Sequence, residues 1–155
     1  MEREIIYRGK RCSDGEWVYG FYVESKYSWQ GHKPHRSWIV PNAISNGGFF
    51  NVLGRYAVKD DTVGQFTGQY DKNDKKIYEG DIVRWEYPDY DSHTGWRGTV
   101  KNICKVTFEY GSFRINAYPY DLGSCEDFFE DKETYGLEVI GNIYDNPELL
   151  STKQA

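Results

Sequence analysis

Residues 63–85 read VGQFTGQYDKNDKKIYEGDIVRW, and this stretch decides the fold. Two runs of β-favouring residues flank a polar turn at Asp71–Asp74, a pattern that is typical of a β-hairpin. Asn73 is expected to close the turn, because asparagine tolerates a left-handed backbone better than most residues do. Beyond the turn, side chains alternate between two faces of a strand, and Val83 and Trp85 share one of them. The stretch therefore predicts a hairpin that places Trp85 in a hydrophobic core.

The composition favours β structure throughout. The chain has 155 residues, 17% of them aromatic, and its mean hydropathy is −0.77. Aromatic rings pack well on pleated surfaces, and many short runs joined by turns predict a mainly β fold. We expect a coiled sheet or small barrel of short antiparallel strands with SH3-like elements. Residues 1–150 are expected to form a single domain, divisible into an N-terminal β subdomain (1–60) and a barrel-like subdomain (61–150), before a tail at 151–155.

The same patterns assign the other segments. Glu4–Arg8 and Trp17–Glu24 predict an N-terminal hairpin, whereas Tyr87–Gly98, rich in Pro, Asp, Ser and Gly, predicts a loop. The strand that follows this loop is expected to turn five residues toward the core: Val100, Cys104, Val106, Phe108 and Tyr110. Near the end of the chain, Asn146 suits a helix N-cap and Pro147 the first helical position, which predicts one short C-terminal helix.

The formal net charge of −5 is unevenly spread along the chain. Residues 1–75 carry eleven basic and nine acidic groups, a net charge of +2, whereas residues 76–155 carry eight basic and fifteen acidic groups, a net charge of −7. A protein that binds nucleic acid over a large surface is usually basic, so the balance disfavours that class.

Other features of the sequence indicate a cytosolic protein. The apolar runs are too short for a membrane-spanning helix, and the charged start Met1–Glu4 does not resemble a signal peptide. Cys12, Cys104 and Cys125 are odd in number and lack metal-binding spacing, which fits reduced thiols. We therefore expect no membrane association, no cofactor and no bound metal.

Three segments carry a resemblance to a known family. Residues 63–83 resemble the signature of the YopX family, conserved proteins of unassigned function that phages and prophages encode. The opening Arg3–Arg8 with Trp17–Gly20 and the closing Leu137–Leu149 support the resemblance in the same order. Two differences are local: Asn73-Asp74 stands where the family usually has Asn-Gly, and residues 26–48 and 87–98 look like variable insertions. The resemblance implies a biological setting in a phage or its host, but no activity.

Two acidic residues near the hairpin suggest one candidate for chemistry. Glu79 and Asp81 lie two positions apart, so their carboxylates could share one face of a strand. Paired carboxylates can perform acid–base catalysis or hold a divalent cation, and the enzyme hypothesis is a metal-dependent hydrolase or nuclease. The alternative interpretation is structural: Gly80 makes a bulge, and the carboxylates cap backbone amides beside it.

A basic and aromatic segment is the second candidate. Trp29, Lys33, His35 and Arg36 combine rings that could stack bases with cations that could meet phosphates, as in single-stranded nucleic-acid binding. His32-x-x-His35 could form half of a zinc site, although no cysteine pair stands nearby. The simpler interpretation is a solvated surface loop.

These observations favour a non-catalytic interaction protein over an enzyme. We expect it to bind an unidentified host or phage protein, with nucleic acid disfavoured by the charge. We also expect a homo-oligomer, since short strands such as Phe49–Leu53 and Ser112–Tyr118 leave sheet edges that must be covered.

Overall fold

The computed structural model describes residues 4–25, 37–41, 55–91, 93–117, 126–127 and 137–151. The chain divides into two compact units, residues 1–68 and 69–155, and the boundary falls within the fourth strand. Ten strands are present in these ranges: β1 Tyr7–Lys10, β2 Trp17–Glu24, β3 Ser37–Val40, β4 Gly64–Tyr70, β5 Lys76–Tyr78, β6 Asp81–Asp91, β7 Gly95–Glu109, β8 Ser112–Ala117, β9 Glu126–Asp127 and β10 Glu138–Asn142. Two 3₁₀ turns accompany them: Asp60–Thr62 and Pro147–Leu150.

The prediction of a mainly β fold of antiparallel strands is confirmed. One sheet has the strand order β3-β2-β1-β4-β5 and the other has the order β10-β6-β7-β8-β9. In the part of the chain that the structure describes, neither sheet closes into a barrel. The predicted C-terminal helix is a single 3₁₀ turn, and the side chain of Asn146 does not cap it. Instead, Asn146 Oδ1 accepts a hydrogen bond from the Asn142 backbone N–H at 3.4 Å.

The core of the first unit lies under β1, β2 and β3. It consists of Val18, Ile39 and Val58, all buried, with three partly buried side chains packed against them: Tyr7, Tyr56 and Val63. Strand β1 begins at Tyr7 rather than at the predicted Glu4, because its ladder runs from Tyr7 opposite Gly20 to Lys10 opposite Trp17. Cross-strand pairing therefore fixes the start of β1, which propensity alone placed three residues too early.

The core of the second unit lies on one face of the sheet that β6, β7 and β8 form. Its buried members are Ile77, Val83, Cys104, Val106, Phe113, Ile115 and Leu137. Cys104 is 1% exposed, so its predicted role as a small core residue is confirmed. Trp85 packs against this core on the predicted face but is only partly buried.

The set of β7 residues predicted to face the core includes two that are exposed. Phe108 is 50% exposed and Tyr110 is 91% exposed, because the strand ends at Glu109 and the chain turns immediately afterwards. Tyr110 and Gly111 have φ angles of 53° and 83°, as a two-residue turn between antiparallel strands requires. The ring of Phe108 still contacts that of Phe113 edge-on, with 5.0 Å between the ring centroids.

The predicted loop at 87–98 is wrong. Strands β6 and β7 continue through most of it and pair as far as Asp91 opposite Gly95. A register irregularity between Asp89 and Tyr90 accommodates the turn-forming composition, since bulges are where a strand tolerates such residues. The inter-strand hydrogen bonds of a long hairpin therefore outweighed the local preferences of Pro, Asp and Gly.

The hairpin turn after β4 depends on Asp71, which is 6% exposed. Its Oδ1 accepts hydrogen bonds from the backbone N–H groups of Asn73 (2.7 Å) and Lys75 (3.0 Å), and its Oδ2 accepts one from Val139 (3.0 Å). The left-handed residue of the turn is Asp74, with φ 60°, and not the predicted Asn73. Asp74 therefore occupies the position at which the Asn-Gly turn of the resembled family would have glycine.

Asp71→Ala should lower the free energy of unfolding by at least about 1–3 kcal/mol, the cost of a buried amide left without an acceptor. Burial raises the pKa of the Asp71 carboxyl, but the hydrogen bonds from Val139, Lys75 and Asn73 outweigh it, and the net pKa is lowered. The carboxylate therefore stabilises the fold fully above its unfolded pKa of about 3.9, and this contribution is lost as the pH falls through the lower folded pKa. Urea unfolding from pH 7 into the acid range should show a flatter acid limb for Asp71→Ala than for the wild type. Asp61→Ala, which removes an exposed acid, is the control and should behave like the wild type.

Tyr110→Asn should raise the free energy of unfolding by about 0.5–1 kcal/mol, because a left-handed backbone is strained for a bulky residue and asparagine tolerates it. Part of the gain is offset by the Arg114 guanidinium, which lies 5.5 Å from the centre of the Tyr110 ring. Tyr110→Phe keeps the strain and should leave the urea midpoint unchanged. A Tyr110→Asn variant less stable than the wild type would show that the tyrosine stabilises its own turn.

Candidate functional site

The acidic pair lies at the turn between β5 and β6. Asp81 is 1% exposed, and its Oδ2 accepts a hydrogen bond from the Tyr78 backbone N–H at 2.8 Å. The backbone of Gly80 is fixed on both sides: its N–H donates to Val106 O and its carbonyl accepts from Ile143 N–H, both at 2.9 Å. Asp81 therefore caps the backbone at this turn, and its carboxylate is closed to solvent.

A second group of charges belongs to a structural contact that we call the turn clamp: Asp71, Lys72, Arg84 and Glu138. Glu138 Oε2 lies 2.8 Å from Lys72 Nζ and 2.6 Å from Arg84 Nη2. Hydrogen bonds from Lys72 and then from Arg84 lower the pKa of the Glu138 carboxyl. Within the turn clamp, Glu138 thus neutralises the charges of Lys72 and Arg84, whereas Asp71 binds backbone amides. Nowhere in the described ranges do three histidine, cysteine, aspartate or glutamate side chains gather as a metal site would require.

The predicted nucleic-acid-binding residues Trp29, Lys33, His35 and Arg36 lie outside the described residues. The described chain leaves β2 at Ser25 and returns at the start of β3, so residues 26–36 connect these two strands.

Among the described residues of the first unit, the outer face of the first sheet carries both rings and cations. Period-2 alternation along β2 sends Val18 and Gly20 toward the core and leaves Trp17, Tyr19 and Phe21 on the other side. Residues opposite each other on antiparallel strands share a face, so Arg8, opposite Tyr19, and Lys10, opposite Trp17, lie on this side too. We call these five residues the aromatic face.

Close approach of the backbones fixes the geometry beneath this face. A Cβ atom on Gly20 would lie 2.0 Å from the carbonyl oxygen of Val40 on β3. Only glycine fits there, and the contact holds β2 and β3 together where Phe21 lies opposite Val40. The exposed ring of Phe21 therefore lies next to this close contact between β2 and β3.

The cations of the aromatic face hold the ring of Trp17. Arg8 Cζ lies 4.7 Å and Lys10 Nζ 5.6 Å from the centre of the indole ring. Arg8 is only 6% exposed, so its guanidinium is part of the folded structure rather than a solvated charge. A desolvated cation–π contact of this kind contributes about 2 kcal/mol, which orients the tryptophan.

Tyr19 and Phe21 lie beside Trp17 and are open to solvent. They are 49% and 55% exposed, and they occupy alternate positions of one strand, so their rings lie on the same side of the sheet. The arrangement can contact an apolar or aromatic surface, with the tyrosine hydroxyl as a polar group, but it has no nucleophile or acid–base pair.

Sequence reasoning found the alternation along β2 but did not identify the aromatic face as a site. The available signal was three aromatic residues at positions 17, 19 and 21, combined with two cations at alternate positions, Arg8 and Lys10. Recognising it required the pairing of β1 with β2, which shows that both sets lie on one side.

Comparisons with known proteins identify one matching family and a solved structure with a similar fold. The family model described as YopX protein matches residues 6–151. Among solved structures, the chain is similar to protein EF1440 from Enterococcus faecalis, with 24% sequence identity and a TM-score of 0.50. The similarity covers 96% of this chain and 99% of that one, and at this identity it concerns the fold alone. No curated protein matches the chain. In the described residues, no helix is long and apolar enough to cross a membrane.

Millimolar Mg²⁺ or Mn²⁺ should leave the melting temperature unchanged, because the Asp81 carboxylate is buried and already bound to a backbone amide. A cation held at Glu79 and Asp81 would instead raise the melting temperature with concentration as RT ln(1 + [L]/Kd). Differential scanning calorimetry over a metal titration distinguishes the two outcomes, and Glu79→Gln tests whether any shift depends on this half-buried carboxylate. A shift that Glu79→Gln abolishes would support the hydrolase hypothesis.

Proposed function

This chain belongs to the YopX family, and we propose that it is a non-catalytic interaction protein that binds a partner protein through its aromatic face. The observation that carries this proposal is the exposure of Tyr19 and Phe21, at 49% and 55%, on one face of a β-sheet. Aromatic side chains are enriched in protein interfaces, where they bury a large area with few rotatable bonds.

The aromatic face suits a protein better than single-stranded nucleic acid. Its cations, Arg8 and Lys10, both lie over the ring of Trp17, and Arg8 is buried. A nucleic-acid strand would need cations that meet phosphates as well as rings that stack bases. The net charge of −5 acts against long-range attraction of a polyanion.

The setting of this function rests on the resemblance described above. We infer a phage or prophage origin and action in the cytoplasm of a bacterial host, with a host or phage protein as the partner. The hydrolase alternative has no support in the geometry around Glu79 and Asp81, since the carboxylate of Asp81 serves the β5–β6 turn.

Tyr19→Ser combined with Phe21→Ser should remove partner binding without unfolding the protein, because both rings are largely exposed and neither belongs to the core cluster. Immobilised wild type, double variant and control are incubated with lysate of the bacterial host, with and without phage, and the retained proteins are quantified by mass spectrometry. We expect a protein that is retained by the wild type and at least tenfold less by the double variant. Ile5→Ser is the matched control, since Ile5 is 53% exposed in the same unit but precedes β1.

Equal retention by the double variant would refute the assignment of the aromatic face, provided that circular dichroism shows both proteins folded. Fluorescence anisotropy with a labelled single-stranded oligonucleotide tests the other class of partner. Submicromolar binding at physiological salt, lost in the double variant, would replace a protein partner with nucleic acid.

A further inference from the structure

We draw no further inference here: the strongest candidate, the surface patch around the exposed Trp96 at the far end of the β6–β7 hairpin, carries no proposal because nothing in the described part of the structure shows what covers it.

Discussion

The carboxylate of Asp71 links two segments of the second unit that are far apart in the chain. Through Oδ1 it closes its own turn, and through Oδ2 it binds the backbone of Val139, 68 residues later. The main chain repeats the connection, since the Lys72 N–H donates to the Leu137 carbonyl at 2.9 Å. Leu137 is buried in the second core, so the acid fixes the segment that closes that core. A buried carboxylate is stable only where donors replace its lost hydration, and here backbone amides supply them. Asp71 therefore stabilises its own turn, the position of Leu137 and the start of β10.

The aromatic face shows how a sheet separates stability from recognition. Strand β2 alternates, so every residue that enters the first core leaves a neighbour on the opposite side. Val18 and Gly20 satisfy packing on the inner side, which frees Trp17, Tyr19 and Phe21 from that role. The cations from β1 hold one of the three rings, and the other two are open to solvent. A binding surface built in this way can change its side chains without disturbing the core.

The outer part of the β6–β7 hairpin, where Trp85–Asp91 pairs with Gly95–Asn102, and the turn of Tyr110 both depart from the most stable local choice. This part of the hairpin is a strand pair without neighbouring strands among the described residues, and it exposes Trp96. The turn places a bulky residue at a φ of 53°, where glycine or asparagine is usual. Such departures persist when the surrounding structure enforces them or when function needs them. Both lie in the second unit, where the flanking pairs of β6, β7 and β8 fix the strands on which they are built.

The sequence alone determined the features that rest on local chemistry. Alternating β-favouring residues around Asp71–Asp74 are sufficient for the central hairpin, and the apolar surroundings of Cys104 are sufficient to place it in a core. Tertiary structure decided the rest, because a period of two describes both faces of a strand equally and does not say which one is buried. The pairing of β1 with β2 brought Arg8 and Lys10 beside Trp17, and the ladder between β6 and β7 made paired strands of most of an apparent loop. The environment of Asp81 likewise required three dimensions: a carboxylate next to a glycine can be catalytic or structural, and here it is buried against the Tyr78 amide.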